Sequence, residues 1–213
     1  MKILDVTLMG INMGNADPML KLLDEMLAVT NGHFQFKKSV LITDKDIKHP
    51  VHEIKKSPRL DNLPQLNLFC IKELYRYIDT PHFLIVQPDG YIIHPELWKD
   101  EWLNYDFIGA PWGDPKMKDK NGFQAIGNGG FCLRSKYITE FISKKWMLVP
   151  LPLVFAEDGY YSNAANHESF LKYPTVRQAL EFSQEEIVDP EIVPFGFHGT
   201  PISNAYKYWI KKE

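Results

Sequence analysis

Four short stretches combine residue types that can do chemistry. Gln87, Pro88, Asp89 and Gly90 follow directly on the apolar run FLIV at 83–86. A carboxylate delivered by the end of a buried strand is placed to meet a ligand. It suits a hard divalent cation, which in turn can clamp a diphosphate. Pro-Asp-Gly is equally a common turn tripeptide. Next, YDFIGAPW at 105–112 is followed by GNGGFCLR at 127–134. Gly127, Gly129 and Gly130 around Asn128 either let backbone pack close to a ligand or make the hairpin turn that Asn-Gly favours. A P-loop is unsupported, because no Gly-Lys-Ser/Thr follows. Glu157 and Asp158 then form an adjacent acid pair after the apolar stretch 151–156. They suit the first turn of a helix, where the dipole favours negative charge, and one of them can serve as a general base. Finally, His198 stands between glycines in FGFHG at 195–199, as a metal ligand or as a plain loop histidine. The other histidines, His33, His49, His52, His82, His94 and His167, show no metal-ligand spacing, and HExxH is absent.

Such residues need a scaffold, and the periodicities point to an α/β one. The stretch 3–9 reads as a buried strand, punctuated by Gly10 and Gly14. Asp17 and Pro18 open a helix as N-cap and first residue, with Met19, Leu22, Leu23, Met26 and Leu27 on one face. A second strand covers 34–43. The polar stretch 44–63 reads as a long loop. Leu68, Ile71, Leu74, Tyr75 and Ile78 mark another helix. FLIV reads as a central strand buried on both faces, and strands follow at 105–110 and 131–133, with a loop at 112–121 between them. Ser135 caps a helix carrying Tyr137, Ile138, Phe141 and Ile142. Short helices are expected near 159–166, 176–182 and 203–212. Strand alternating with helix implies a sheet core, and in open α/β sheets ligands sit beyond the carboxyl ends of the strands.

Composition bounds the rest. With 24 Lys and Arg against 27 Asp and Glu the net charge is −3 and the pI near 6.2, which argues against nucleic-acid binding through a broad basic face. No apolar run is long enough to span a bilayer, and the N-terminus reads as a strand rather than a signal peptide. Cys70 and Cys132 sit in apolar contexts, as expected of buried thiols in a reducing, cytoplasmic setting. The expectation is one domain over 1–213, with a nucleotide-binding half at about 1–95 and an acceptor half at about 96–213. The charged end Lys211, Lys212, Glu213 is compatible with a domain cut from a longer protein.

In this order, QPDG, YDFIGAPW, GNGGFCLR, Glu157-Asp158 and GFH resemble the GT-A class of nucleotide-sugar glycosyltransferases. More narrowly they are similar to a family from large viruses and microbes that includes chlorella-virus enzymes acting on the capsid glycan. The resemblance runs from the first strand to His198. It implies a central mixed, mostly parallel sheet flanked by helices. It also implies a UDP-sugar donor, an oligosaccharide or glycoprotein acceptor, and Mn²⁺ or Mg²⁺ held by Asp89 and His198. In that class a D-x-D motif binds metal and diphosphate; here Gln87 replaces the first acid, so Asp89 is its single charged ligand. Thr7, Leu8, Gly10 and Asp44 are then expected to flank uracil and ribose, with Gln87, Asp89, Gly90, Asn128, Gly129 and Gly130 around the diphosphate and sugar. Glu157-Asp158 matches the position of the catalytic base in inverting members. Asp158 is favoured as that base, ionised at a helix N-terminus, with Glu157 orienting the acceptor. If viral, the protein would work in the host cytoplasm. Two other readings stay open: a retaining transferase of the same fold, and a carbohydrate-binding module without turnover. A nucleotidyltransferase lacks its Gly-rich start motif here. Trp98, Trp102, Trp112, Trp146, Phe155, Tyr160 and Tyr161 could stack on sugar faces, or could be core.

Overall fold

The computed structural model describes residues 1–114, 125–145, 156–201 and 203–210. Trp146, Phe155 and the apolar stretch 151–155 lie outside the described residues. The chain begins with β1 (Lys2–Ile11), α1 (Asp17–Thr30), β2 (Phe34–Thr43), β3 (Glu53–Lys56), α2 (Leu63–Lys72) and β4 (His82–Val86). It continues through β5 (Gly90–Ile92), β6 (Phe107–Gly109), β7 (Phe131–Ser135), α3 (Lys136–Lys145), α4 (Glu157–His167) and α5 (Val176–Phe182). The last elements are β8 (Ser183–Gln184), β9 (Gly196–His198) and α6 (Asn204–Trp209).

Six strands form one mixed sheet in the order β3-β2-β1-β4-β7-β6. The first four are parallel, and β7 runs antiparallel between β4 and β6. The chain builds outward from β1 to β2 and β3, then returns to place β4 on the other side of β1. Strand order therefore reverses between β1 and β4, which opens a crevice at their carboxyl ends. A smaller sheet, β5-β9-β8, continues from that edge.

Alternation along the central strand divides the core. Phe83 and Ile85 join Phe69, Ile71, Ile138 and Tyr161 on the face covered by α2, α3 and α4. Leu84 and Val86 join Leu23 and Met26 of α1 on the other. FLIV is continuous because both its faces are covered. The second core ends in an aromatic cluster under the small sheet, with ring centroids 5.1 Å apart for Trp102 and Phe182 and 5.4 Å for Trp102 and Phe195. Trp98 packs edge-on against Trp102, and Tyr160 and Tyr161 are buried. These rings are core rather than a sugar-stacking surface.

Three local expectations need correction. Asp17 is the first helical residue rather than the N-cap, which is Ala16; the Asn15 side chain accepts the Asp17 N–H instead. The stretch 44–63 contains β3, an edge strand with the polar sequence EIKK and no buried residue, so hydropathy could not reveal it. α2 starts at its Asn62 cap and ends at Lys72, with Leu74–Tyr77 as a separate 3-10 turn. Its buried residues are Leu66, Phe69, Cys70 and Ile71, while Leu68 is 40% exposed. By contrast, Ser135 does cap α3, accepting the Ile138 N–H at 3.1 Å.

Two alanine substitutions test this packing by urea unfolding. Leu84→Ala should cost about 2–5 kcal/mol, as deletion from a fully buried site does. Leu68→Ala should stay within about 0.5 kcal/mol. Equal losses at both positions would contradict the assigned face of α2.

Candidate functional site

The four chemical stretches meet at one edge of the sheet. β1, β2 and β4 end there at Ile11, Thr43 and Val86, β6 ends there at Gly109, and β7 begins there at Phe131. The Gln87 N–H donates to the Gly130 carbonyl at 2.8 Å, and Gly90 N–H closes a turn on the Gln87 carbonyl. The chain then pairs β5 with β9, Gly90 opposite His198, and the Gly199 N–H binds the Asp89 carbonyl at 2.8 Å. QPDG is thus both a turn and the arm that carries Asp89 to His198.

His198 Nε2 lies 3.1 Å from Asp89 Oδ1, yet among the described residues this buried nitrogen makes no hydrogen bond. Its Nδ1 lies 2.9 Å from Glu185 Oε1. Burial opposes charge on the ring, but the contacts with Asp89 and Glu185 outweigh it and push the His198 pKa up to about 9. His198 in turn holds the Asp89 carboxyl below its usual range, against burial. Adjacent ligands of an octahedral Mg²⁺ at about 2.0–2.1 Å are about 3 Å apart. A carboxylate oxygen and an imidazole nitrogen at that separation, the nitrogen free of a hydrogen bond, fit a divalent ion. A Cβ on Gly130 would collide with His198 Nε2 and come 2.8 Å from Gln87 Oε1. Gln87 and His198 therefore both pack directly over Gly130. A cleft of about 600 Å³ opens beside it, lined by Asp89, Glu185, Glu186, Thr200 and Asn204 among others.

The acid pair approaches from the other side of the glycine loop. Asp158 Oδ2 accepts the Gly129 N–H at 3.0 Å and Oδ1 accepts the Gly159 N–H at 2.8 Å. The helix-end position had suggested an ionised carboxylate. Instead burial, with the Glu157 charge adding to it, pushes Asp158 up to about 7 against the opposing pull of Arg134 and the two amides. Glu157 is paired inside the fold. Its Oε1 takes a 2.7 Å bond from Arg134 Nη2, and the buried guanidinium lies 4.1 Å from the Tyr161 ring centroid.

Other expected contacts fall elsewhere. Thr7 and Leu8 lie inside the sheet, and the Thr7 hydroxyl is spent on Thr80 at 2.7 Å; mid-strand burial removes both from any ligand-facing edge. Gly10 does reach that edge, where a Cβ would press on Met19. Asp44 follows β2 and pairs with Lys45. Asn12, with no chemical motif to flag it, ties these strand ends together by donating to Thr43 Oγ1 at 3.2 Å. Two more residues were missed. Arg134 carried a signal, a charge inside an apolar strand that demands a partner. Glu185 carried none.

The fold also gathers Asp24, His49 and His52, whose potential ligand atoms lie within 4.8 Å of one another. The two rings stack at 4.5 Å and 12°, so an ion in the plane of one is out of the plane of the other. His49 Nδ1 accepts backbone N–H groups from Val51 and His52, and His52 bridges Ser39 and Asp24. The group ties the 44–52 segment to α1, and its arrangement is that of a hydrogen-bonded strut.

Residues 50–198 match the family described as "Protein of unknown function (DUF5672)". The chain belongs to that family. No curated protein matches the sequence. Among solved structures, the chain is similar to the mannosyltransferase PcManGT from Pyrobaculum calidifontis in complex with GDP-Man and Mn²⁺. That similarity has 9% identity and a TM-score of 0.47, and covers 80% of this chain but only 54% of the mannosyltransferase. A second similarity is to A197 from STIV, with 15% identity, 76% coverage of each chain and a TM-score of 0.37. Among the described residues no helix is long and apolar enough to cross a membrane.

Glu157→Gln tests the buried pair. It leaves the Arg134 charge uncompensated and should destabilise the fold by about 3–5 kcal/mol in chemical denaturation. A loss below about 1 kcal/mol would return Glu157 to the list of groups available to a substrate.

Proposed function

We propose that the protein is a glycosyltransferase of the GT-A class. In this reading it moves a hexose or deoxyhexose from a UDP-sugar to a glycan or glycoprotein acceptor with inversion, using Mn²⁺ or Mg²⁺. The observation that carries the reading is the contact of Asp89 with His198 at the carboxyl end of β4. The sequence resemblance supports the UDP-sugar and the capsid-glycan setting.

Asp89 and His198 would hold the ion, and the cleft lined by Asp89, Glu185 and Thr200 has room for a diphosphate. Bound there, the cation would neutralise charge that builds on the departing diphosphate. The chain's own task is to remove a proton. As the acceptor oxygen bonds to the anomeric carbon and the bond to the diphosphate breaks, the acceptor O–H must be lost. Asp158 can take that proton, because each of its oxygens accepts one backbone N–H and retains a lone-pair direction. Burial makes its carboxylate a stronger base than an exposed one, and the two amides hold it in place. Inversion follows if Asp158 faces the sugar opposite the leaving group. Gln87, where the class carries an acid, favours as the second reading a sugar-binding module without turnover.

Release of UDP from a panel of UDP-sugars, with acceptor glycans and Mn²⁺, separates the two. Turnover with an inverted anomeric centre is expected. Binding without turnover would leave the module, and a retained configuration would remove Asp158 from its role. Asp158→Asn should lower the rate about 10²–10⁴-fold with donor binding nearly unchanged. Because Asp158 acts ionised and its pKa is raised to about 7, the wild-type rate should fall as pH drops through about 7. A rate flat from pH 8 to pH 5 would exclude it as the base.

Metal dependence gives a separate measurement. Asp89→Ala should abolish activity at limiting Mn²⁺ with the thermal midpoint retained, and His198→Ala should raise the Mn²⁺ needed for half activity. Unchanged metal titrations in both variants would remove the ion from the site.

A further inference from the structure

We infer that Glu185 is a positioning residue that selects the tautomer of His198, and with it the ability of that ring to accept a metal; this rests on the site proposed above. The His198 Nδ1 atom has two competing neighbours. Glu185 Oε1, 2.9 Å away, can only accept, and Asn128 Nδ2, 2.8 Å away, can only donate. Flipping the Asn128 amide would not remove the competition cheaply, because its Oδ1 already accepts the Gly130 N–H at 2.9 Å. Its Nδ2 also donates to Glu185 Oε2.

With the carboxylate present, a ring N–H donating to an anion is the stronger bond. At neutral pH the metal-free ring, its pKa raised to about 9, carries a proton on each nitrogen. When one proton leaves, Glu185 keeps the other on Nδ1, and Nε2 is the nitrogen set free. The Nε2 lone pair then lies beside Asp89 Oδ1, 3.1 Å away. Without the carboxylate, Asn128 becomes the nearest partner and Nδ1 accepts from it. The ring proton then moves to Nε2, where it binds Asp89 and blocks the position a metal would take. Metal-binding histidines generally depend on such a partner at the far nitrogen. Here the same carboxylate also holds Asn128, a non-glycine residue at φ 69°, whose turn presents the Gly129 N–H to Asp158. Glu185 therefore joins the metal side of the site to the base side. It is itself anchored through its carbonyl, which accepts the Ala205 N–H at 2.9 Å.

The test uses two readouts other than turnover. In metal-free protein labelled with ¹⁵N-histidine and held above about pH 9, where the ring is neutral, wild type should show a His198 Nδ1–H hydrogen-bonded to carboxylate, and Glu185→Gln should move the ring proton to Nε2. Binding of Mn²⁺ alone, followed by loss of the free-ion EPR signal, should weaken about 10–100-fold in Glu185→Gln. In a His198→Ala background the same change should add nothing. An unprotonated Nδ1 in wild type, or an unchanged resonance in Glu185→Gln, overturns the inference. So does an equal loss of Mn²⁺ affinity with and without His198. Wild type that binds no Mn²⁺ would count against the metal reading, and the NMR result would still decide the tautomer. That wild-type spectrum also stands if Glu185→Gln fails to fold.

Discussion

Every part of the candidate site leans on a loop that has no room for side chains. A Cβ on Gly109 would run into the Gly127 carbonyl, one on Gly127 into the Trp112 ring, one on Gly129 into Glu157, and one on Gly130 into His198. Because these positions carry only backbone, the loop reaches its neighbours through amides and carbonyls. Gly129 offers its N–H to Asp158, Gly130 its carbonyl to Gln87, and Asn128 joins Glu185 and His198 by its side chain. A substitution at Gly130 therefore presses on His198 and one at Gly129 on Glu157, while at Gly109 it meets the loop backbone and at Gly127 the Trp112 ring.

Around that loop the charges are divided by how they are compensated. Arg134 and Glu157 neutralise each other in the core. A pair taken out of water in this way adds little net stability and costs much when broken; its effect is to set the start of α4 beside Gly129. Asp89, His198 and Glu185 form a second, partly exposed group in which one imidazole is shared by two carboxylates. Asp158 has amides but, among the described residues, no cation bonded to it. Its protonation equilibrium is therefore shifted upward, as desolvation without an ion pair requires. Adjacent acids in sequence, Glu157 and Asp158, are both buried and end with different partners, one paired with Arg134 and the other held by two backbone amides.

The sheet edge explains why these groups meet. β4 lies next to β1 at the reversal of strand order, and β7 enters antiparallel beside it, so strand ends and a strand start share one rim. The small sheet then pairs Gly90 with His198, bridging two distant parts of the chain with three residue pairs. The aromatic cluster of Trp102, Phe131, Phe182 and Phe195 beneath it supplies the burial that so short a sheet cannot supply by itself.

Periodicity and turn chemistry made much of the scaffold legible. β2 at Phe34–Thr43, the buried face of α1, the central FLIV strand and α5 at Val176–Phe182 follow from patterns local to each segment. So did the grouping of Asp89, the glycine loop, the acid pair and His198 as the places to look for chemistry. Local pattern failed where burial or partners come from far along the chain. The edge strand β3 has no apolar face, Thr7 and Leu8 are sealed by neighbouring strands and Thr80, and Glu185 lies 57 residues from Asn128. The proton affinity of Asp158 is hidden from the sequence for the same reason. A helix-end carboxylate is local knowledge, but its desolvation depends on everything packed around it, and only the tertiary structure determines that.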